Sequence, residues 1–329
     1  SFFQPVAVVN RFDLAPSSGA NCGEYRIVYA KTTGAGRFFI IFEAVLPNPD
    51  PASGIAACAP VVDAWRSLSD PALTNAQRAD TLEAMYFTGL PGFEPVIKAD
   101  HYGFQTGNKG QIRTNQFIDS PWILREFKTS RTCSAGVCTL TIKPVTVKAN
   151  PAEDLMVSTH PDNAAFTTNF LASVTNGRLL NTDIDTIKIA TANTWNTWES
   201  NTLNGSSAAE VVYRNHADAT FKADIQTKLT SLGSTLTPNQ VLNRATTQTC
   251  AGCHQNANNL ALGGGLTWPA SLGFTHVDEL GNISDALSTS FLPHRQGVME
   301  SYISSVCTGA TPPVAAGTTI GGGEEDSPN

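Results

Sequence analysis

The chain has 329 residues and a formal net charge of −7, and only 15% of its residues are charged, against about 25% in ordinary globular domains. No basic stripe is present for a nucleic-acid backbone, and no run of 18 apolar residues reaches the length of a membrane span. A hydrophobic content of 41% is enough for a substantial core, while Thr, Asn, Ser and Gly fill the surface, as is common in secreted proteins. The chain opens at Ser1 rather than Met, the start expected where an export signal has been removed.

Residues 1–50 read as β structure. Tyr25–Ala30 and Arg37–Val45 are rich in aromatic and β-branched residues, with a glycine-containing, hairpin-length loop from Lys31 to Gly36 between them. The second of these strands is nearly all apolar, so burial on both faces is expected. Asn10, Arg11, Asp13, Glu24 and Arg26 sit beside it. Buried charges must pair, so a structural arginine–carboxylate network is the first reading there. A catalytic carboxylate at Asp13 or Glu24 is the sharper alternative.

Two helices follow. Pro60 suits a first helical position, ahead of a face made by Val61, Ala64, Trp65 and Leu68. Thr74-Asn75-Ala76-Gln77 is a capping box, and Leu82, Met85 and Tyr86 form an apolar face before Gly89 ends the helix. Met85 is therefore assigned to the core. Strand patterns return over Ile112–Ile118 and Trp122–Phe127, then over the alternation Leu140, Ile142, Val145, Val147. Cys133 and Cys138 close the turn between them, and Cys22 with Cys58 is a second candidate disulfide.

Beyond residue 150 the period becomes helical. Phe166, Phe170 and Val174 recur every four residues up to Gly177, and Phe221, Ile225, Leu229 and Leu232 run up to Gly233. Trp195 and Trp198 lie between them in a polar stretch without a period. A second capping box, Thr237-Pro238-Asn239-Gln240, starts a helix carrying Val241, Leu242 and Ala245 towards Cys250. The expected organisation is α+β: an amino-terminal antiparallel β region with helices over 1–150, and a carboxy-terminal, mainly helical region over 151–307. Residues 308–329, with Pro312-Pro313, the run Gly321-Gly322-Gly323 and the acids Glu324-Glu325-Asp326, read as a tail that packs along its own domain or meets an assembly partner.

Cys250-Ala251-Gly252-Cys253-His254 carries the chemistry. Two cysteines two residues apart and followed by histidine are the attachment signature of haem c. The thiols add to the two haem vinyl groups, and the adjacent imidazole falls beneath the iron. Zinc would need two further ligands at usable spacing, and the chain holds no second C-x-x-C and no H-x-x-x-H. Covalent attachment takes place outside the cytoplasm, where disulfides persist, so the protein is expected in the periplasm, on the outer surface or outside the cell. Cys307 is then left over.

The second axial position of the iron sets the function. His276 comes first, placed after the flexible Gly263-Gly264-Gly265 loop, which can swing it over the ring. Met299 and His294, on a helix expected over Leu292–Ser305, come next, and an open site comes fourth. Asn10-Arg11-Phe12-Asp13-Leu14, Gly23-Glu24-Tyr25-Arg26, Ile41-Phe42-Glu43, the C-x-x-C-H motif and Phe274-Thr275-His276-Val277 together resemble a group of exported bacterial proteins known mostly from myxobacteria and their relatives. The resemblance implies that the β region and the motif form one unit, and it favours His276 as the partner of His254. The two-motif layout of the di-haem peroxidases is absent. Three functions remain open: a mono-haem cytochrome serving a redox partner protein, a haem peroxidase or oxygenase open near Trp195, Trp198 or Trp268, and an exported structural subunit.

Overall fold

Alternating side chains on adjacent strands decide the architecture. In the computed structural model, which describes residues 2–103, 110–175, 178–203 and 210–308, β1 (Phe3–Arg11), β2 (Asn21–Lys31) and β3 (Arg37–Pro47) form an antiparallel meander. It continues through β4 (Gln111–Phe117), β5 (Ile123–Ser134) and β6 (Val137–Val145), and β7 (Ser200–Asn201) adds to β5. Strand residues point alternately to the two faces. Tyr25, Ile27, Ala44, Leu46 and Ile112 pack on one face against Val61 and Val62 of α1 (Ala59–Ser67). Met85 and Tyr86, which follow α2 (Asn75–Glu83), join this core, as does Tyr302 of the last helix. The opposite face carries Val9, Arg26, Val28, Phe39, Ile41 and Arg113, and it borders a cavity.

One expectation about β3 is corrected. Phe38, Ile40, Ile41 and Phe42 of β3 are half-buried, so the strand is not sealed on both sides. The charged cluster forms the expected ion-pair network. Arg11 meets Asp13 at 2.8 Å, and Arg26 meets Glu24 at 2.5 Å and Glu43 at 3.1 Å. Arg113 reaches Glu43 at 3.3 Å and Glu126 at 2.6 Å. Burial pushes the Asp13 and Glu24 carboxyls up, but the surrounding cations, led by Arg11 at Asp13 and by Arg26 at Glu24, together hold both below the usual range.

A second core lies beyond this cavity. Phe166, Phe170 and Val174 of α3 (Asn163–Thr175) pack with Phe221, Ile225 and Leu229 of α5 (Ala219–Ser231), the short α4 (Tyr213–His216) and α6 (Pro238–Thr246). Leu232 departs from its periodic series: it caps the helix end and is 40% exposed. Both capping boxes form as read, Thr74 with Gln77 and Thr237 with Gln240. The strands β8 (Ala261–Gly263) and β9 (Leu266–Thr267) make a small hairpin, and α7 (Leu292–Thr308) crosses back to the first core, where Tyr302 donates to the Ile55 carbonyl. Cys22–Cys58 and Cys133–Cys138 are disulfides. Among the described residues no helix is long and apolar enough to cross a membrane. Gly177, the side chain of Cys307 and the tail after Thr308 lie outside the described residues.

Candidate functional site

The C-x-x-C-H loop is delivered by α6 and tied to it. Arg244, 1% exposed, donates to the carbonyls of Leu262, Leu179 and Asn181 at 2.6–2.8 Å and anchors the helix in the second core. Past the helix, Thr249 Oγ1 accepts from Ala251 N, and a single 3₁₀ turn spans Cys250–Gly252. A side chain at Gly252 would place its Cβ 1.8 Å from the Thr247 carbonyl oxygen. Only glycine allows that approach. The Gly252 carbonyl in turn accepts from Trp268 Nε1 at 2.9 Å.

His254 is 2% exposed, and its Nδ1 lies 2.8 Å from the buried Glu210 carboxylate. A carboxylate can only accept, so Nδ1 carries the proton and Nε2 is left with its lone pair. That lone pair faces Asn115 Nδ2 at 3.3 Å, and the same amide also donates to the Phe274 carbonyl at 3.0 Å. Trp122 and Phe274 wall the imidazole, with ring centroids at 6.3 and 5.1 Å. The aromatic pair holds the ring plane while the carboxylate holds the tautomer, which is how a metal-binding imidazole is usually oriented.

Cys250, Cys253, His254 and His276 all line one cavity of about 350 Å³, within the range of about 300–1,000 Å³ typical of ligand pockets. Phe39, Ile41, Leu124, Phe274 and Phe291 give it apolar walls, and Arg11, Lys148, Lys188 and Arg295 add cations. Burial first, and then Arg11, push the Lys188 ammonium down to about 8. His276 bonds Ser284 Oγ through Nδ1 at 2.8 Å. Burial, and next Arg295, push its imidazole down to about 4, against a backbone hydrogen bond to Gly252 that pulls it up, so the ring is neutral at pH 7.

The other candidate ligands stand apart. Met299 is half-buried against the first core, on the far face of the sheet, and its sulfur accepts from Asn10 Nδ2 at 3.1 Å. His294 Nδ1 faces Asp183 and Asp185 at 3.9 and 3.7 Å and does not line the cavity. Trp268 borders the cavity, whereas Trp195 packs on the second core and Trp198 is 64% exposed. Sequence reading missed Glu210, Asn115, Trp122 and Lys188. Glu210 alone leaves a trace, as an isolated acid ahead of Val211 and Val212.

The site has the donor set of a group held by few protein ligands. Among the described residues, the only three metal-type side chains that converge are Asp183, Asp185 and His294. The motif residues therefore do not assemble the closed tetrahedral shell of structural zinc. Haem needs two thiols at its edge, one or two imidazoles on its axis, apolar walls and cations for its carboxylates, and residues of each kind are present. Compared with protein-family models, curated proteins and solved structures, the chain has no match.

Proposed function

We propose that the protein is an exported mono-haem c-type cytochrome that passes single electrons to and from a redox partner protein. One observation carries the reading. Cys250 and Cys253 are unbridged and share a cavity with two imidazoles, while Cys22, Cys58, Cys133 and Cys138 are paired. In this reading Cys250 and Cys253 would hold the haem covalently through their thiols, and His254 and His276 would supply the imidazoles that bind its iron. Iron held by two imidazoles changes oxidation state with little rearrangement, which suits electron transfer. The disulfides and the attachment chemistry both belong to an oxidising compartment, hence export.

The deciding experiment is expression in a host that attaches c-type haem. The purified chain is expected to keep its chromophore through acid–organic extraction, and Cys253→Ala to weaken that retention. A colourless product with both thiols free would refute the proposal. Trp268 on the cavity wall favours one alternative, a haem enzyme with an open distal side. High-spin iron that binds carbon monoxide readily in the unmutated protein would move the assignment to that enzyme.

A further inference from the structure

We infer that Glu210 is a positioning residue that sets the redox potential of this centre, holding it low by keeping negative charge on the far side of the iron-binding imidazole. The inference rests on the haem reading above and adds a property which that reading does not require.

The geometry is specific. Nδ1 of His254 lies 2.8 Å from each carboxylate oxygen of Glu210, and the two side chains are 3% and 1% exposed. Among the described residues Glu210 Oε1 has no hydrogen-bond partner, and Oε2 receives one further donor, Asn256 Nδ2, at 3.3 Å. No basic side chain makes an ion pair with Glu210 among the described residues. The carboxylate's charge is therefore directed through the imidazole proton.

A hydrogen bond in a water-poor site is electrostatically strong, and one from Nδ1 to a carboxylate makes Nε2 a more basic ligand. Ferric haem carries one more positive charge than ferrous haem. A negative group behind the ligand stabilises the ferric state more, and the midpoint falls. A neutral acceptor at the same position would hold the ring equally well without this effect, so orientation alone does not account for a buried carboxylate here.

Glu210→Gln keeps an oxygen that can accept from Nδ1 and removes the charge. Asn256→Ala does the reverse: it withdraws the amide that offsets part of that charge. Haem-loaded full-length wild type, Glu210→Gln and Asn256→Ala are compared by spectropotentiometric titration. Glu210→Gln is expected to shift the ferric/ferrous equilibrium at least tenfold towards ferrous, a rise of about 59 mV for a one-electron couple. Asn256→Ala is expected to move the midpoint in the opposite direction, and it remains informative should the glutamine variant fail to fold. A purely structural role would not produce opposite signs. Haem-loaded variants with unchanged midpoints, or with shifts of the same sign, overturn the inference while leaving the cytochrome reading intact. A chain that takes up no haem overturns both.

Discussion

His276 and Met299 illustrate how far apart two side chains of similar promise can end up. His276 lies on the cavity, bonded to Ser284, whereas Met299 packs behind the sheet. With haem bound, His276→Ala is expected to convert low-spin iron to high spin and admit carbon monoxide. Met299→Ala should leave the spectrum unchanged and lower stability by about 2 kcal/mol, the lower end of core truncations, because the site is half-buried. Optical spectra and thermal melts separate the two. A third residue predicts pH dependence. Glu153 is 4% exposed, its Oε2 has no hydrogen-bond partner among the described residues, and burial raises its carboxyl from 4.5 to about 7. The folded chain therefore binds more protons than the unfolded one between these values, so stability should fall as pH rises from about 4.5 to 7. Glu153→Gln should abolish that slope, a change of about 1–3 kcal/mol at pH 8, measurable by denaturant titration at several pH values.

At the scale of elements, α6 is the member whose failure would reach the site. Its start is a capping box and its middle is pinned by Arg244. Thr237→Ala is expected to cost about 1 kcal/mol. Arg244→Met would strand buried carbonyls of Leu262, Leu179 and Asn181, and an unsatisfied buried group costs about 1–3 kcal/mol each. Chemical denaturation should therefore rank Arg244→Met well above Thr237→Ala, with loss of haem retention in the former only. The two disulfides differ for a topological reason. Cys133 and Cys138 close five residues at an exposed hairpin tip, while Cys22 and Cys58 close thirty-six and are fully buried. Chain entropy then assigns about 2 kcal/mol to the first and about 4 kcal/mol to the second. Paired alanine substitutions compared by melting should show that order, with the hairpin variant leaving the site unaltered.

For the molecule as a whole, the cavity lies between a sheet face and a helical core that meet across it. A ligand filling it would tie both layers together and stabilise the fold by linkage. Protein produced without haem attachment is thus expected to melt about 5 °C or more below the loaded form. Equal melting temperatures would show that the two layers do not depend on the ligand. Much of this plan is legible along the chain wherever the cause is local. Capping boxes, the Gly233 helix stop, the four-residue spacing of Phe166, Phe170 and Val174, and the short Cys133–Cys138 turn each depend on contacts within a few residues. The same holds for the pairing of the two cysteines and the histidine at 250–254, and for the requirement that Arg11 and Arg26 find carboxylates. What escapes such reading arises between distant segments. Glu210 reaches His254 across 44 positions and Asn115 reaches it across 139; the lone acid ahead of Val211 and Val212 is the one local trace of the first contact, and the second has none. Apolar β3 looks sealed because composition records hydrophobicity without saying how completely the rest of the fold covers each face. Periodicity reports which side of an element is apolar. The partner of that side depends on long-range packing, because the same apolar stripe buries equally well against any complementary surface.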